Sequence, residues 1–495
     1  MLAVARAVAY VCAESNPNGE GRLGAATPGT VTILFEGRDL SVREGTSVAV
    51  ALWEKNVRVL SHSPKYGHPR GLYCARGHCT SCLMRIDGVP NVRACETPVR
   101  DGLRVQRQDP GAFYGRPLQR VMAAAGQVFP VGFYYKWFTR PAWLSRCFLR
   151  LIRPLTGVGR LPDRGAWSGP AAGVGEPASD GAAAASLARR DLGLFDCVVV
   201  GAGAAGLVAA AHASGRALLV DDHATLGGQR RGALDAVAAA LGQDLARLPV
   251  LAGAHATLSR AAGLQPRSGL GLALGGVIVG AYEPDLLLLR DQRGLSLLRT
   301  RRLVWAAGAL DASGGFAGND RPGLLGPRGL YRAVTRDGLR VEGRRALVTG
   351  VGLDLWLAAA LLHARGAKVV IAPSEPGWPE ELKAAGALGW TVHAGLRVEE
   401  ATAGGADIEL RLGPPGGDAR TRVRCELAVI CARGKPAYDI PYQLGARLIL
   451  DESRGGYVPR EADRVESRLP GGLLLTVTGE AAGLPPGALL AAAQR

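Results

Sequence analysis

The sequence predicts an α/β fold: two dinucleotide-binding, Rossmann-like units behind a small β-rich domain with the element order of a β-grasp ferredoxin. Three observations predict it. Phe195-Asp-Cys-Val-Val-Val runs into Gly-Ala-Gly-Ala-Ala-Gly and then an apolar helix. A second strand–glycine–helix unit begins at Arg345-Ala-Leu-Val-Thr-Gly-Val-Gly. Between Val31 and Val105 the pattern is strand, strand, helix, cysteine-rich loop, strand.

In the first domain, Val31-Thr-Ile-Leu-Phe and Leu40-Ser-Val-Arg read as strands joined by a hairpin turn at Glu36-Gly-Arg-Asp. Thr46 to Asn56 reads as a short helix with a threonine or serine N-cap. Then come Cys74, Cys79, Cys82 and Cys95, spaced C-x4-C-x2-C-x12-C. Three thiolates from one tight loop and a fourth from further along approach the ligand spacing of a plant-type [2Fe–2S] centre. Such a loop needs a glycine for a sharp turn, supplied by Gly77. A closed all-thiolate zinc site is the rival reading, although zinc ribbons prefer paired C-x2-C knuckles. His78 inside the loop reads as a polar loop residue, not a ligand. Leu83-Met-Arg-Ile-Asp-Gly-Val-Pro closes the domain as a strand and turn.

An aromatic and basic connector follows, then a Gly/Ala/Pro/Ser-rich linker from Gly159 to Arg190. In the unit after it, Gly201, Gly203 and Gly206 suit a sharp turn, close approach of a pyrophosphate, and tight helix–strand packing. The pyrophosphate would rest on the helix N-terminus, at Ala204 and Ala205, where free N–H groups and the dipole favour anions. The next strand, Ala217-Leu-Leu-Val, ends in Asp221-Asp222, a carboxylate about twenty residues beyond the first glycine, where a ribose is held. Asp221 is the preferred of the two because it directly follows the apolar strand, and the ribose contact points to FAD rather than FMN. In the second unit Gly350 and Gly352 hold the first two fingerprint positions, but Leu355 takes the third, and the following strand runs into Ala372-Pro-Ser instead of an acid. NAD(P) binding and a purely structural lobe both stay open there. Near the end, Leu473-Leu-Leu-Thr-Val-Thr delivers Gly479-Glu480 to a helix start. The expected division is 1–27 N-terminal extension, 28–108 cluster domain, 109–192 connector and linker, 193–325 first dinucleotide domain, 326–435 second Rossmann-like domain, and 436–495 return segment. Cluster and flavin are expected in separate domains, so that loss of one leaves the other.

At 495 residues the chain has room for about three domains. The net charge of +16 is scattered as arginine, without the basic stripe a nucleic-acid surface needs, and no nucleic-acid partner is expected. Cys12, Cys147, Cys197, Cys425 and Cys431 are dispersed and read as buried thiols. The mildly apolar N-terminus lacks a basic segment ahead of its apolar run, and no stretch suits a membrane span, so the chain reads as cytoplasmic. No C-x2-C pair lies near the dinucleotide motifs, which argues against a disulfide reductase.

With these residues in view the chain resembles the α subunit of heterotetrameric sarcosine oxidase and its relatives, hydrogen cyanide synthase and dye-linked proline dehydrogenase subunits. Four stretches carry the resemblance: Pro90 to Leu103, Val131 to Pro141, Gly201 to Gln229 closing in Leu226-Gly-Gly-Gln, and Val304-Trp-Ala-Ala-Gly-Ala-Leu-Asp with Gly318-Asn-Asp-Arg-Pro-Gly-Leu. The resemblance implies that Gly228, Gln229, Gly308, Gly479 and Glu480 meet the flavin. It departs in four ways: those subunits often lack the cluster cysteines, their C-terminal folate-binding domain is not expected in this sequence, their A-T-G motif reads Ala306-Ala307-Gly308 here, and the second Rossmann unit is degraded. It implies an FAD-dependent oxidoreductase subunit of an amine or amino-acid oxidase, acting on CH–NH donors. A partner flavoprotein subunit of D-amino-acid-oxidase type would oxidise the substrate, and a small-molecule acceptor would take the electrons. No catalytic acid, base or nucleophile stands out. A self-contained NAD(P)H:acceptor reductase and a structural subunit with vestigial cofactors are the alternatives.

Overall fold

The structure, a computed structural model, describes residues 29–63, 68–107, 140–152, 190–263, 269–404, 407–418, 421–460, 466–469 and 471–484. The aromatic run Phe133 to Thr139, the Gly/Ala/Pro-rich linker and the N-terminal apolar stretch lie outside them. Strands β1 (Thr30–Phe35) and β2 (Arg38–Arg43) form a hairpin across Glu36-Gly37, whose φ values of 51° and 81° make the two-residue turn that suits a twisted hairpin. Strands β3 (Leu83–Ile86) and β4 (Val89–Arg93) turn the same way across Asp87-Gly88, with φ 48° and 81°. With β5 (Arg104–Arg107) they complete a five-stranded sheet, order β2-β1-β5-β3-β4, in which β1 and β5 run parallel. Helix α1 (Val48–Glu54) covers it, with Val48 to Trp53 buried. Ser47 is its N-cap, accepting from the Val50 N–H at 3.4 Å.

The first dinucleotide unit is β6 (Arg190–Val200), α2 (Ala204–His212) and β7 (Ala217–Asp221), followed by α3 (Arg231–Leu241) and α4 (Pro249–Ala262). Its sheet runs β8 (Leu270–Leu274), β7, β6, β11 (Gly294–Trp305), β10 (Leu286–Asp291), β9 (Val277–Glu283). β7, β6 and β11 are parallel, and the late strand β15 (Leu474–Val477) adds parallel to β11, which brings the end of the chain back to the first unit. Between these strands lie α5 (Pro327–Thr335) and the second unit: β12 (Arg345–Gly350), α6 (Gly352–Ala364), β13 (Lys368–Pro373) and β14 (Leu427–Cys431), parallel in the order β14-β12-β13. Helix α6 is apolar all round and buried from Asp354 to Leu362, as expected of a helix covered on every side.

One continuous core joins the cluster domain to both units, uniting Ile33, Leu52 and Leu103 with Val237, Trp356 and Val429. Polar contacts reinforce the junction. Arg43 pairs with Glu54 at 3.0 Å and donates to the Gly338 carbonyl at 2.7 Å. Ser47 Oγ donates to Asp337 Oδ2 at 3.0 Å, and burial pushes the Asp337 carboxyl up to about 6. Cys197, Cys425 and Cys431 are buried as expected, but Cys147 is exposed: it lies on the helix Ala142–Ile152, which turns its thiol to solvent. Because Ser47 both caps α1 and holds Asp337, Ser47→Ala should destabilise the protein by about 1–3 kcal/mol. A urea or thermal melt of the two proteins measures this.

Candidate cofactor sites

The cluster loop folds so that its thiols meet. All four cysteines are free, and they hydrogen-bond in the sequence Cys79–Cys74–Cys95–Cys82. The bonds from Cys79 and Cys95, together with the backbone N–H groups of Arg76 (3.5 Å) and Cys79 (3.4 Å), hold the Cys74 thiol far below its ordinary range. Positive φ at Ala75 (47°) and Gly77 (70°) gives the sharp curl that aims these N–H groups inward. Four convergent thiols with backbone donors on the sulfur fit an iron–sulfur cluster. His78 is exposed at the loop's rim and makes no part of the thiol set.

The first glycine turn is built for a dinucleotide. A Cβ on Gly206 would lie 1.6 Å from the Gly201 carbonyl oxygen, and one on Gly201 2.1 Å from that of Ala306, so both positions are fixed by packing. Gly203 is different: its Cβ position meets nothing within 4 Å and faces the cavity. Gly203 caps α2 with no side chain, and the first turn carries no acid, leaving its N–H groups at Ala204 and Ala205 open to an anion. Behind them, a Cβ on Gly228 (φ 72°) would lie 2.8 Å from the Gly203 Cα, while Gly227 N–H donates to the Ala202 carbonyl at 2.8 Å. Gln229 Oε1 is buried without a partner at the cavity wall. Gly308, Gly479 and Glu480 line the same cavity. An open glycine face, free helix N–H groups and an orphaned amide oxygen together fit a bound flavin dinucleotide.

The two acids at the end of β7 part company, although both line the cavity. Asp221 turns inward: its Oδ2 accepts from the Ala202 N–H and its Oδ1 from the His223 N–H at 2.8 Å, so it pins the glycine turn. Asp222 is the more exposed of the two, its side chain 38% accessible. It accepts from His223 Nδ1 at 2.8 Å and pairs with Arg76 at 3.1 Å. Hydrogen bonds to Asp221 and Asp222 raise the His223 imidazole to about 9. Arg76 and His78 also line the cavity, so the cluster loop and the dinucleotide unit, in separate domains, share a wall.

Behind the flavin cavity lies a buried ionic cluster that sequence reasoning missed, apart from Glu480. Arg230 pairs with Asp354 (2.6 Å) and Glu480 (2.8 Å); Arg328 pairs with Glu480 (2.7 Å) and Asp311 (3.0 Å). Tyr331 donates its hydroxyl to Asp354 at 2.9 Å. Burial alone would push the Glu480 carboxyl up; the guanidinium groups of Arg230 and Arg328 outweigh it and hold the carboxyl below its ordinary range. Arg328 opens α5, whose Gly329 would place a Cβ 2.2 Å from the Tyr73 carbonyl oxygen beside Cys74. On the far side of Arg230 a second cavity touches Val351, Gly352, Asp354, Glu375 and Arg433. Gly350 is needed there for packing, its Cβ falling 2.1 Å from the Cys431 carbonyl oxygen, whereas Gly352 faces open space. The acid missing after β13 in the sequence appears as Glu375, but it is engaged with Arg433 at 2.7 Å.

Fold and sites together define an α/β, flavoprotein-like chain with an N-terminal iron–sulfur domain. Residues 29–110 match the 2Fe-2S iron-sulfur cluster binding domain family, which favours the iron–sulfur reading of this domain over zinc. The chain is 27% identical over 362 residues to sarcosine oxidase subunit alpha of Rhizobium meliloti, covering 70% of this chain and 34% of that one. It thus spans about a third of that relative's length. Hydrogen cyanide synthase subunit HcnA of Pseudomonas aeruginosa is 36% identical over 78 residues, 16% of this chain and 74% of HcnA. L-Proline dehydrogenase from P. horikoshii shares the fold, with a TM-score of 0.54 at 16% identity over 94% of this chain and 73% of that one. Through its N-terminal domain the chain belongs with hydrogen cyanide synthase subunit HcnA, and over 70% of its length it is similar to sarcosine oxidase subunit alpha. Among the described residues, no helix is long and apolar enough to cross a membrane.

Two predictions follow from the site geometry. Gly203→Val should keep the native melting temperature, since no protein atom lies within 4 Å of its Cβ, yet abolish dinucleotide binding; Gly206→Ala, 1.6 Å from a carbonyl oxygen, should fail to fold. Flavin content and a thermal melt of each variant test the pair. The charged His223 stabilises the fold fully below its unfolded value of 6.5, and that contribution disappears as the pH rises through about 9. The melting-temperature gap between the protein and His223→Gln should therefore be widest near pH 6 and close by about pH 10.

Proposed function

We propose that this chain is the electron-handling subunit of a heteromeric amine or amino-acid oxidase or dehydrogenase. In this reading FAD lies along Gly201, Gly203, Ala204 and Ala205, with Asp222 at its adenosine ribose and Gln229, Gly308, Gly479 and Glu480 toward its flavin end. Cys74, Cys79, Cys82 and Cys95 hold the [2Fe–2S] cluster. A flavin exchanges electron pairs, taken as hydride, for single electrons, and a cluster carries one electron at a time. The observation that carries the reading is the shared wall: residues of the cluster loop, Arg76 and His78, line the dinucleotide cavity itself.

The chain's own groups are suited to carriage. Glycine faces and helix N–H groups receive the pyrophosphate. The Arg230–Glu480–Arg328 cluster fixes charge behind the cavity without offering a free base, since each carboxylate there is engaged by a guanidinium. Substrate oxidation then falls to a partner flavoprotein subunit of D-amino-acid-oxidase type, with a small-molecule acceptor downstream. A second reading, an NAD(P)H:acceptor reductase, draws support from the open face of Gly352 at the second cavity. Against it, the first turn of α6 carries an acid, Asp354, whose negative charge disfavours a pyrophosphate nearby.

The purified chain should contain about two irons and two labile sulfides. Stoichiometric zinc without sulfide would end this reading. Anaerobic NADH should leave its flavin band intact, and a panel of secondary amines and amino acids should reduce dye only once a partner amine-oxidising flavoprotein is added. Rapid bleaching by NADH would favour the reductase; substantial amine turnover by the chain alone would refute the subunit role.

A further inference from the structure

Arg76 touches both cofactor sites at once. Its backbone N–H is directed at Cys74 Sγ at 3.5 Å, and its guanidinium pairs with Asp222 at 3.1 Å, across 146 residues of sequence. The side chain is only 5% exposed, and its Nε is buried without a partner, so the arginine has little freedom to settle elsewhere. Asp222 has two partners holding it, Arg76 and His223, and stands at the cavity where the adenosine ribose is expected. Its second anchor, His223, belongs to the dinucleotide unit; its first belongs to the cluster loop. The loop's curl, with positive φ at Ala75 and Gly77 on either side of Arg76, is the conformation that convergence of the four thiols requires. A loop released from its cluster would free Arg76 from Asp222, and the carboxylate, held by His223 alone, would meet the ribose diol with its orientation less fixed.

We propose that Arg76 is a positioning residue for the dinucleotide site, so that cluster assembly and dinucleotide binding each raise the affinity of the other. The coupling rests on the assignment of both cofactors made above. Reciprocity follows from linkage: whatever factor the cluster contributes to dinucleotide affinity, the dinucleotide returns to the cluster. His78 lines the same wall and its charge acts on Asp222, but it is exposed and joined to that carboxylate by no hydrogen bond or ion pair among the described residues.

The test begins with iron, sulfide and flavin content of the full-length protein, then titrates FAD into flavin-stripped protein with its cluster intact. Arg76→Ala should keep its iron and weaken FAD binding about tenfold, within the usual range of site–site coupling. Asp222→Asn should weaken it similarly, and the double variant should be no weaker than Asp222→Asn alone, because the two residues act as one unit. Arg76→Lys should recover part of the loss. FAD addition should shift the electron paramagnetic resonance signal of the reduced cluster in the parent protein and not in Arg76→Ala. If Arg76→Ala does not fold, the parent protein stripped of its cluster by chelation takes its place, and the same tenfold loss is expected. Equal FAD affinity with and without the cluster, or additive losses in the double variant, would overturn the coupling while leaving the cofactor assignment intact. A parent protein that holds a cluster but no flavin would overturn both.

Discussion

The buried pairing of Arg230 and Arg328 with Asp311, Asp354 and Glu480 is the constraint on which the rest of this structure depends. Each residue comes from a different part of the chain: the turn after the first fingerprint, the start of α5, the segment before it, the first turn of α6, and the turn that follows β15. Taking such charges out of water is expensive, and attraction repays it only when the geometry is close and the remaining donors are satisfied. Removing any one would strand the others, at a cost on the order of 3–5 kcal/mol. The cluster therefore fixes where the flavin cavity, the second cavity and the floor beneath the iron–sulfur loop stand relative to each other.

This arrangement explains the form of the second glycine turn. A third glycine is not called for at Leu355, because that residue packs into the core and the helix's N-terminal charge is already met by Asp354. Asp354 serves the arginines before it can serve any ligand. The lobe keeps the shape of a dinucleotide fold while the carboxylate in its helix's first turn is held by the protein's own arginines.

Much of this was legible in the sequence because the signals are local. Cysteine spacing, the strand–glycine–helix order and the Glu-Gly and Asp-Gly hairpin turns each report on a few neighbouring residues. What was not legible depends on distance. Asp221 and Asp222 are identical in chemistry and adjacent in sequence, and only the fold shows one turned toward the Ala202 N–H and the other toward Arg76. Glu480 could be placed near the flavin by resemblance, but nothing local announces that two arginines, 152 and 250 residues earlier, converge on it. The exposure of Cys147 was missed for the same reason: an isolated thiol carries no sign of which side of its helix meets solvent.

The continuous apolar core between the cluster domain and the two α/β units has a mechanical consequence. Ile33, Leu52 and Leu103 share that core with Trp356 and Val429, so the iron–sulfur domain is not a tethered carrier that swings between docking positions. In the proposed role, an electron leaving the thiolate cage would cross a distance set once, at folding. Its passage is then a matter of tunnelling through a fixed medium, indifferent to solvent viscosity and to the length of any linker.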